Sequence, residues 1–333
     1  MSPLVSILIP AYKSERWLAE TLRSALAQTW SNTEIIVVDD GSPDNTLAVA
    51  RSFESAKVKV VTQENQGAPA ARNHAFALCQ GEYVMWLDAD DLISPDKVAL
   101  QVHMAQALDN PRLVMSCVWG YFAYRAHRAT FPLTALCEDL SPAEWLTRKL
   151  ESNMHQQTAT WLVSRKVTEA AGPWDPTLIS DDDGEYFCRV LLASEGVRFT
   201  PGAKVYYRVT PTGSWGDLTG SRRRLEAHWD SMQRHLRYLR SLEDTPRVRA
   251  AGIAYMQTWL HHFYPEHRDV VAEMQAMAAE LGGVLHEPTL SWKYAWIRSL
   301  FGWSAAKKAR SSLPQFKASL KQRWDKVCYE RLT

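Results

Sequence analysis

The nine residues Tyr83 to Asp91, YVMWLDADD, constrain this chain more than any other stretch. Tyr83 through Leu87 are aromatic, β-branched or bulky apolar side chains without polar alternation, which is how a covered strand reads, and Gly81 punctuates its start. The run ends in Asp88, Asp90 and Asp91. An open α/β sheet places its ligands at the carboxyl ends of its strands, and carboxylates this close are costly unless a cation or hydroxyl donors compensate them. Oxygen-only ligands suit a hard divalent ion such as Mg²⁺ or Mn²⁺, shared with substrate phosphates. An EF-hand loop is excluded, because Leu92 and Ile93 stand where an acidic residue and a glycine are required. Ser94 and Pro95 mark a helix start, which accounts for Asp96 and in part Asp91 as helix-end acids. It does not account for Asp88, which follows the apolar run directly.

The surrounding pattern repeats strand and helix. Val5–Ile9 predicts a strand, Ser14 caps a helix carrying Leu18, Leu22, Ala25 and Leu26, and residues 34–40 (EIIVVDD) form a second buried strand closed by Gly41, Ser42 and Pro43. A short helix over 48–53, a strand over 58–61 and a helix over 70–78 follow. Four strands alternating with helices predict a doubly wound, mostly parallel sheet. The phosphate loops usual in nucleotide-binding sheets are missing: PAYKSE follows the first strand, and neither GxGxxG nor GxxxxGK[ST] occurs. Hydride transfer and P-loop chemistry are thereby disfavoured. The strand ends offer instead Tyr12, an aromatic face for a base, and Asp40, an acceptor for a ring N–H. Packing of Tyr12 beside the sheet, or capping of the next turn by Asp39 or Asp40, remains open on the residues alone.

Farther on, the pattern predicts a helix through Val98, Val102, Ala105 and Leu108, strands over 113–122 and 158–163, and a short helix over 165–171. A second acidic cluster, Asp181, Asp182, Asp183 and Glu185, opens a helix; helix starts attract acids, but four exceed what capping asks for. Val205–Val209 reads as a last strand. The loop from Thr210 to Ser221 suits either closure over a donor or plain connection. Leu225, Trp229, Met232, Leu236 and Leu239 then form a helical stripe that packs against the body.

The 333 residues can bury a full core, as one large domain or one with a helical appendage. Five cysteines without paired short spacing point to reduced thiols in a cytosolic setting. The first residues lack a basic leader, and no stretch approaches the ~20 apolar residues of a membrane span. The tail is electrostatically distinct: residues 291–333 carry ten Lys and Arg against two acids, a net of +8 within a chain total of +1. Trp292, Trp296, Leu300 and Trp303 share a helical arc amid Lys293, Arg298, Lys307, Lys308 and Arg310, suited to an anionic membrane or to packing on a protein surface.

Four ordered segments, PAYKSERWLAETLRSALAQTW, EIIVVDDGSPDNT, NQGAPAARNHAFALCQGEYVMWLDADD and DDDGEYFCR, resemble the successive motifs of the family 2 inverting glycosyltransferases of GT-A fold. The resemblance covers residues 4 to about 210. It implies a GT-A (Rossmann-like) catalytic domain over 1–215, while the helical stripe and the basic, Trp-rich tail beyond it point to a helical C-terminal region over 216–333. It further implies that Pro10, Ala11 and Tyr12 flank the nucleotide base, that Glu15 approaches the nucleotide and that Asp40 accepts from the base. Arg72 would contact the base or diphosphate, Asp88 the ribose, and Asp90 a Mn²⁺ or Mg²⁺ ion bridging the diphosphate. Placing Arg189 on the arginine after the family's ED-type motif makes Asp183 the catalytic base. Because Asp182 stands where Glu is typical and Gly184 where an aromatic is common, Asp182 remains a second candidate base, and Glu185 a residue for acceptor binding.

The expected activity is therefore metal-dependent, inverting transfer from a nucleotide-sugar, in particular a UDP-sugar, to a hydroxyl of a glycan or lipid-linked acceptor in surface polysaccharide synthesis. The expected place is the cytoplasm or the inner face of the cell membrane, with no nucleic-acid partner. A non-catalytic glycan- or partner-binding protein of the same fold is the alternative, and a sugar-phosphate nucleotidyltransferase a weaker one, since PAYKSE lacks its glycine-rich basic signature.

Overall fold

The computed structural model describes residues 2–210, 221–289 and 291–330. The first half contains β1 (Val5–Ala11), α1 (Leu18–Leu26), β2 (Thr33–Asp39), α2 (Thr46–Arg51), β3 (Val58–Thr62), α3 (Ala68–Leu78), β4 (Tyr83–Trp86), β5 (Leu92–Ile93), α4 (Lys97–Leu108) and β6 (Leu113–Phe122). It continues with α5 (Pro142–Glu151), β7 (Val163–Ser164), α6 (Arg165–Ala171), α7 (Asp182–Ala193), β8 (Gly196–Arg208), α8 (Arg222–Leu242), α9 (Pro246–Phe263), α10 (Arg268–Glu280) and α11 (Trp292–Glu330).

The main sheet runs β3-β2-β1-β4-β7, parallel except for β7 at its edge. Its strands are apolar on both faces, and the two-residue period of a strand sorts those side chains into two cores. Leu8, Ile36, Val38, Val84 and Trp86 face α3 and α7. Ile7, Ile9, Ile35, Val37, Met85 and Leu87 face α1 and α4. A second sheet, β5-β8-β6, stands beside the first, with β6 and β8 parallel.

The molecule departs from the expected elements in several places. Residues 158–163 do not form one strand: the Gln157 side chain accepts from Ala159 N and starts a 3-10 turn over Thr158–Thr160, leaving only β7 extended. Ser14 does not cap α1; its carbonyl accepts from Trp17 N and Leu18 N, and the helix begins one turn later. Leu26 lies on the solvent side of α1, whose covered residues are Leu18, Thr21, Leu22 and Ala25. The final strand, expected over Val205–Val209, spans Gly196 to Arg208.

The α8 stripe is buried as expected, and it joins the same core as Trp86, Trp174 and α9. The boundary expected at 215/216 lies outside the described residues. Helix α11 is broken at Gly302, where φ is +80°, a region that glycine enters without a Cβ clash. The break removes Trp303 from the outward arc and sets its ring edge-on to Tyr264 at 5.5 Å, while Trp292, Trp296, Leu300 and Phe301 stay exposed. At its other end α11 returns to the body. Asp325 accepts from Tyr124 N, Arg125 N and Arg125 Nε, and Tyr329 donates to Glu20 Oε1 at 3.3 Å.

Candidate active site

Arg72, buried on α3, ties the two acidic clusters together. Its Nη2 donates to Asp88 Oδ1 at 3.0 Å and its Nη1 to Asp182 Oδ2 at 2.7 Å, while the guanidinium lies 4.3 Å from the Trp174 ring centroid. Trp174 in turn stacks on Tyr186 of α7 at 3.9 Å. The end of β4 and the start of α7, far apart in sequence, thus share one cation.

Beyond Asp88 the chain is held by two residues that no sequence motif singles out. Arg208, at the end of β8, donates from its backbone N to Asp91 Oδ1, from Nε to the Asp90 carbonyl and from Nη2 to Glu20. Trp17 and Phe122 sandwich its guanidinium at 4.2 and 4.4 Å. Gln157 donates to Asp91 Oδ2 at 2.5 Å and lies 3.5 Å from Asp88 Oδ2. Asp91 is therefore a buried structural acid, its carboxyl pushed up by burial and by Asp90 and Asp88. The signal for Arg208 is a lone cation in the aromatic run VYYRV; nothing local distinguishes Gln157.

Asp90 differs from Asp91. Among the described residues no side-chain donor reaches its carboxylate, and burial together with Asp88 pushes it up to about 6. Asp88 is compensated by Arg72 and Asp91 by Arg208 and Gln157, so Asp90 is the acid left for a hard cation such as Mg²⁺ or Mn²⁺. Among the described residues no group of three His, Cys, Asp or Glu side chains could hold an ion by itself. Asp90 fits an ion completed by oxygens of a bound diphosphate, which is how Mg²⁺ is commonly held.

In the second cluster the acids part company, because successive helical positions point in different directions. Asp182 is spent on Arg72, and burial leaves it raised despite that cation. Among the described residues Asp183 accepts only from Gly184 N beside it, and burial with Asp182 and Asp181 pushes it up to about 7. Asp181, in the left-handed region, turns away to accept from Ser231 of α8 at 2.8 Å. A Cβ on Gly184 would run into that Asp181 carboxylate, which explains why no aromatic stands there. Glu185 is not brought to the others: it is buried, receives both Nε and Nη2 of Arg189 at 2.9 Å, and accepts from Tyr238 at 2.8 Å. Its lone pairs serve the α7–α8 contact instead of an acceptor.

At the ends of β1 and β2, Pro10 and Ala11 finish the strand and Tyr12 stands exposed with Lys13 Nζ 5.1 Å from its ring centroid. Glu15 accepts from Asn45 N and Nδ2. Asp40 accepts from Gln63 Nε2, Gln66 N and Gly67 N, which fixes the loop entering α3 and leaves Oδ2 room for one further donor. Gly41 next to it has φ +65° and its missing Cβ lets Asn65 N approach. Residues 211–220 of the loop expected to close over a donor lie outside the described residues.

Residues 6–163 match the sequence profile of glycosyl transferase family 2. An uncharacterized glycosyltransferase of Rickettsia typhi is 40% identical over 130 residues, 39% of this chain and 41% of that protein. The chondroitin synthase of Escherichia coli is 39% identical over 121 residues, 35% of this chain but 17% of the synthase. The chain thus spans well under two thirds of such relatives. The structure of Staphylococcus aureus TarS 1–349 in complex with UDP superposes with a TM-score of 0.59 at 18% identity, covering 92% of this chain and 82% of that one. TarS 1–349 has also been solved with UDP-GlcNAc, at the same TM-score. The common GT-A architecture is what this likeness shows.

Proposed function

We propose, from the match of residues 6–163 to the glycosyl transferase family 2 profile, that the chain moves a glycosyl unit from a UDP-linked donor to a hydroxyl of a glycan or lipid-linked acceptor, inverting the transferred carbon. The observation that carries this reading is the Arg72 bridge between Asp88 and Asp182, which sets a donor edge and a candidate base side by side. The UDP and UDP-GlcNAc complexes of TarS support a nucleotide-sugar donor.

In this reading Tyr12 and Asp40, with Pro10 and Ala11, receive the base, Glu15 approaches the nucleotide, and Asp88 the ribose. Asp90 would hold a Mn²⁺ or Mg²⁺ ion, which would neutralise charge on the departing diphosphate. Asp183 takes the proton from the acceptor hydroxyl as that oxygen bonds to the anomeric carbon, and the bond to the diphosphate breaks with its electron pair leaving on UDP. A carboxyl raised to about 7 is better matched to that proton transfer than an ordinary one, whereas Asp182, tethered to Arg72, positions the guanidinium. The exposed tryptophans of α11 and the basic tail suit the surface of an anionic membrane, where a lipid-linked acceptor would reside. Among the described residues no helix is long and apolar enough to cross one.

The test is a panel of UDP-sugars presented with Mn²⁺ to the full chain, read by calorimetry and by release of UDP. At least one donor should bind in a metal-dependent way and turn over. Absence of metal-dependent binding across the panel overturns the reading.

A further inference from the structure

Beside the second acidic cluster lies a cavity of about 490 Å³, walled by Tyr121, Tyr207, Tyr255 and Trp259 together with Lys149 and His228. It adjoins a narrower cleft that contains Asp183, and Lys149, His155 and Asp181 line both. Tyr207, His228, Tyr255 and Trp259 all lie beyond residue 163, where the family match ends. The cavity thus joins residues of β8, α8 and α9 to Tyr121 and Lys149 from within the matched region.

His228 is the feature that asks for a ligand. It is 2% exposed, its ring lies 4.2 Å from that of Trp259, and among the described residues neither ring nitrogen has a hydrogen-bond partner. Leaving buried polar atoms unpaired is costly, and native structures seldom do so without a reason. Burial also lowers its proton affinity, so the ring is neutral near pH 7 and presents one N–H donor and one acceptor nitrogen. The two nitrogens diverge across the ring, so a hydroxyl can satisfy one of them, donating to the acceptor nitrogen or accepting from the N–H. The remaining wall agrees in kind. Aromatic faces with a few polar atoms suit the apolar face of a sugar ring, and Lys149 and Asp181 contribute opposite charges.

We propose that this cavity holds the glycosyl unit of the acceptor, that the unit is an uncharged pyranose, and that His228 reads one of its hydroxyls. The inference rests on the transferase reading, and it adds what the acceptor is made of and which residues, His228 and Tyr121 among them, select it.

The experiment is saturation-transfer NMR on the full chain with UDP and Mn²⁺ present. The probes are the methyl glycosides of glucose, galactose, N-acetylglucosamine and N-acetylgalactosamine, with methyl glucuronide as the charged counterpart. At least one uncharged glycoside should bind. His228→Phe, which keeps a ring but removes both nitrogens, should weaken that binding by about tenfold. Tyr121→Ala should weaken it too, and because Tyr121 is 55% exposed this variant does not depend on repacking the core. Glycoside binding that is equally strong in both variants, or confined to the glucuronide, overturns the inference. So does UDP binding in the wild type without any glycoside signal, an outcome that leaves the donor reading intact. His228-dependent glycoside binding in a chain that ignores UDP would sustain the cavity and refute the donor.

Discussion

The Arg72 guanidinium meets the Asp182 carboxylate at 2.7 Å across 110 positions of sequence, and its other arm holds Asp88. Removing this cation leaves three carboxylates of one neighbourhood without their shared counter-charge. Arg72→Met should therefore lower stability by about 1–3 kcal/mol, less than a fully buried pair because both acids are partly exposed. Transfer should fall at least about tenfold. Arg72→Lys keeps the charge but not the fork and should lie between. Thermal melts with single-turnover assays decide this; an Arg72→Met protein that melts and transfers like wild type would refute the bridge.

Asp183 should set the pH profile. The deprotonated form is the base, and with its carboxyl pushed up to about 7 the rate should climb as pH rises through 7 and level off above it. Asp183→Asn should lose about 10²–10⁴-fold in turnover with UDP affinity nearly unchanged. Asp182→Asn should keep the acid limb of the profile. If the limb disappears in Asp182→Asn and persists in Asp183→Asn, the two roles are exchanged.

Asp90 should trade stability for ligand binding. Its folded value of about 6 lies above the ordinary 3.8, so the folded chain holds that proton more tightly than the unfolded one. Ionising it costs stability that grows as pH rises from about 4 to 6 and is fully present above. Ligand-free Asp90→Asn should then melt higher than wild type at pH 7.5, with the gap closing towards pH 4. The same variant should show no Mn²⁺-dependent UDP binding by calorimetry. Retained metal-dependent binding would remove Asp90 from the site.

The tail should bind anionic vesicles through Trp292 and Trp296. Trp292 is 80% exposed, whereas Trp303 packs on Tyr264. Sedimentation with phosphatidylserine vesicles should be salt-sensitive, reduced severalfold in Trp292→Ser with Trp296→Ser, and unaffected by replacement of Trp303 with Phe. Cutting the chain after Pro288 is a poorer control, because it also removes Asp325 and Tyr329 from the body. Equal pelleting of the double variant excludes the arc as the contact.

The parallel core was readable because Val5–Ile9, residues 34–40 and Tyr83–Leu87 are continuous apolar runs, and period two leaves such a run no solvated face. The location of Asp88 and Asp90 followed from where those runs stop. Contacts made at a distance were not readable. The Arg72–Asp182 pair joins elements with no shared pattern, and Gln157 turned an apparent strand into a 3-10 turn through one side-chain bond. Asp182, Asp183 and Glu185 look equivalent as letters, yet helical rotation delivers Glu185 to Arg189 and leaves Asp183 facing a cleft. One glycine at 302 undid the arc expected to include Trp303.

The return of α11 has a consequence for how the molecule is made. Tyr329 reaches Glu20, Glu20 holds Arg208, and Arg208 holds the Asp90 carbonyl and the Asp91 carboxylate. Strands β1 to β4 can pair while later residues are still being synthesised, since domains tend to assemble from the N-terminal side as the chain emerges. The donor edge cannot be finished on that schedule. Its last braces come from residue 208 and from residue 329, so a nascent chain can pair β1 to β4 well before residue 329 emerges to complete the grip on Asp90 and Asp91.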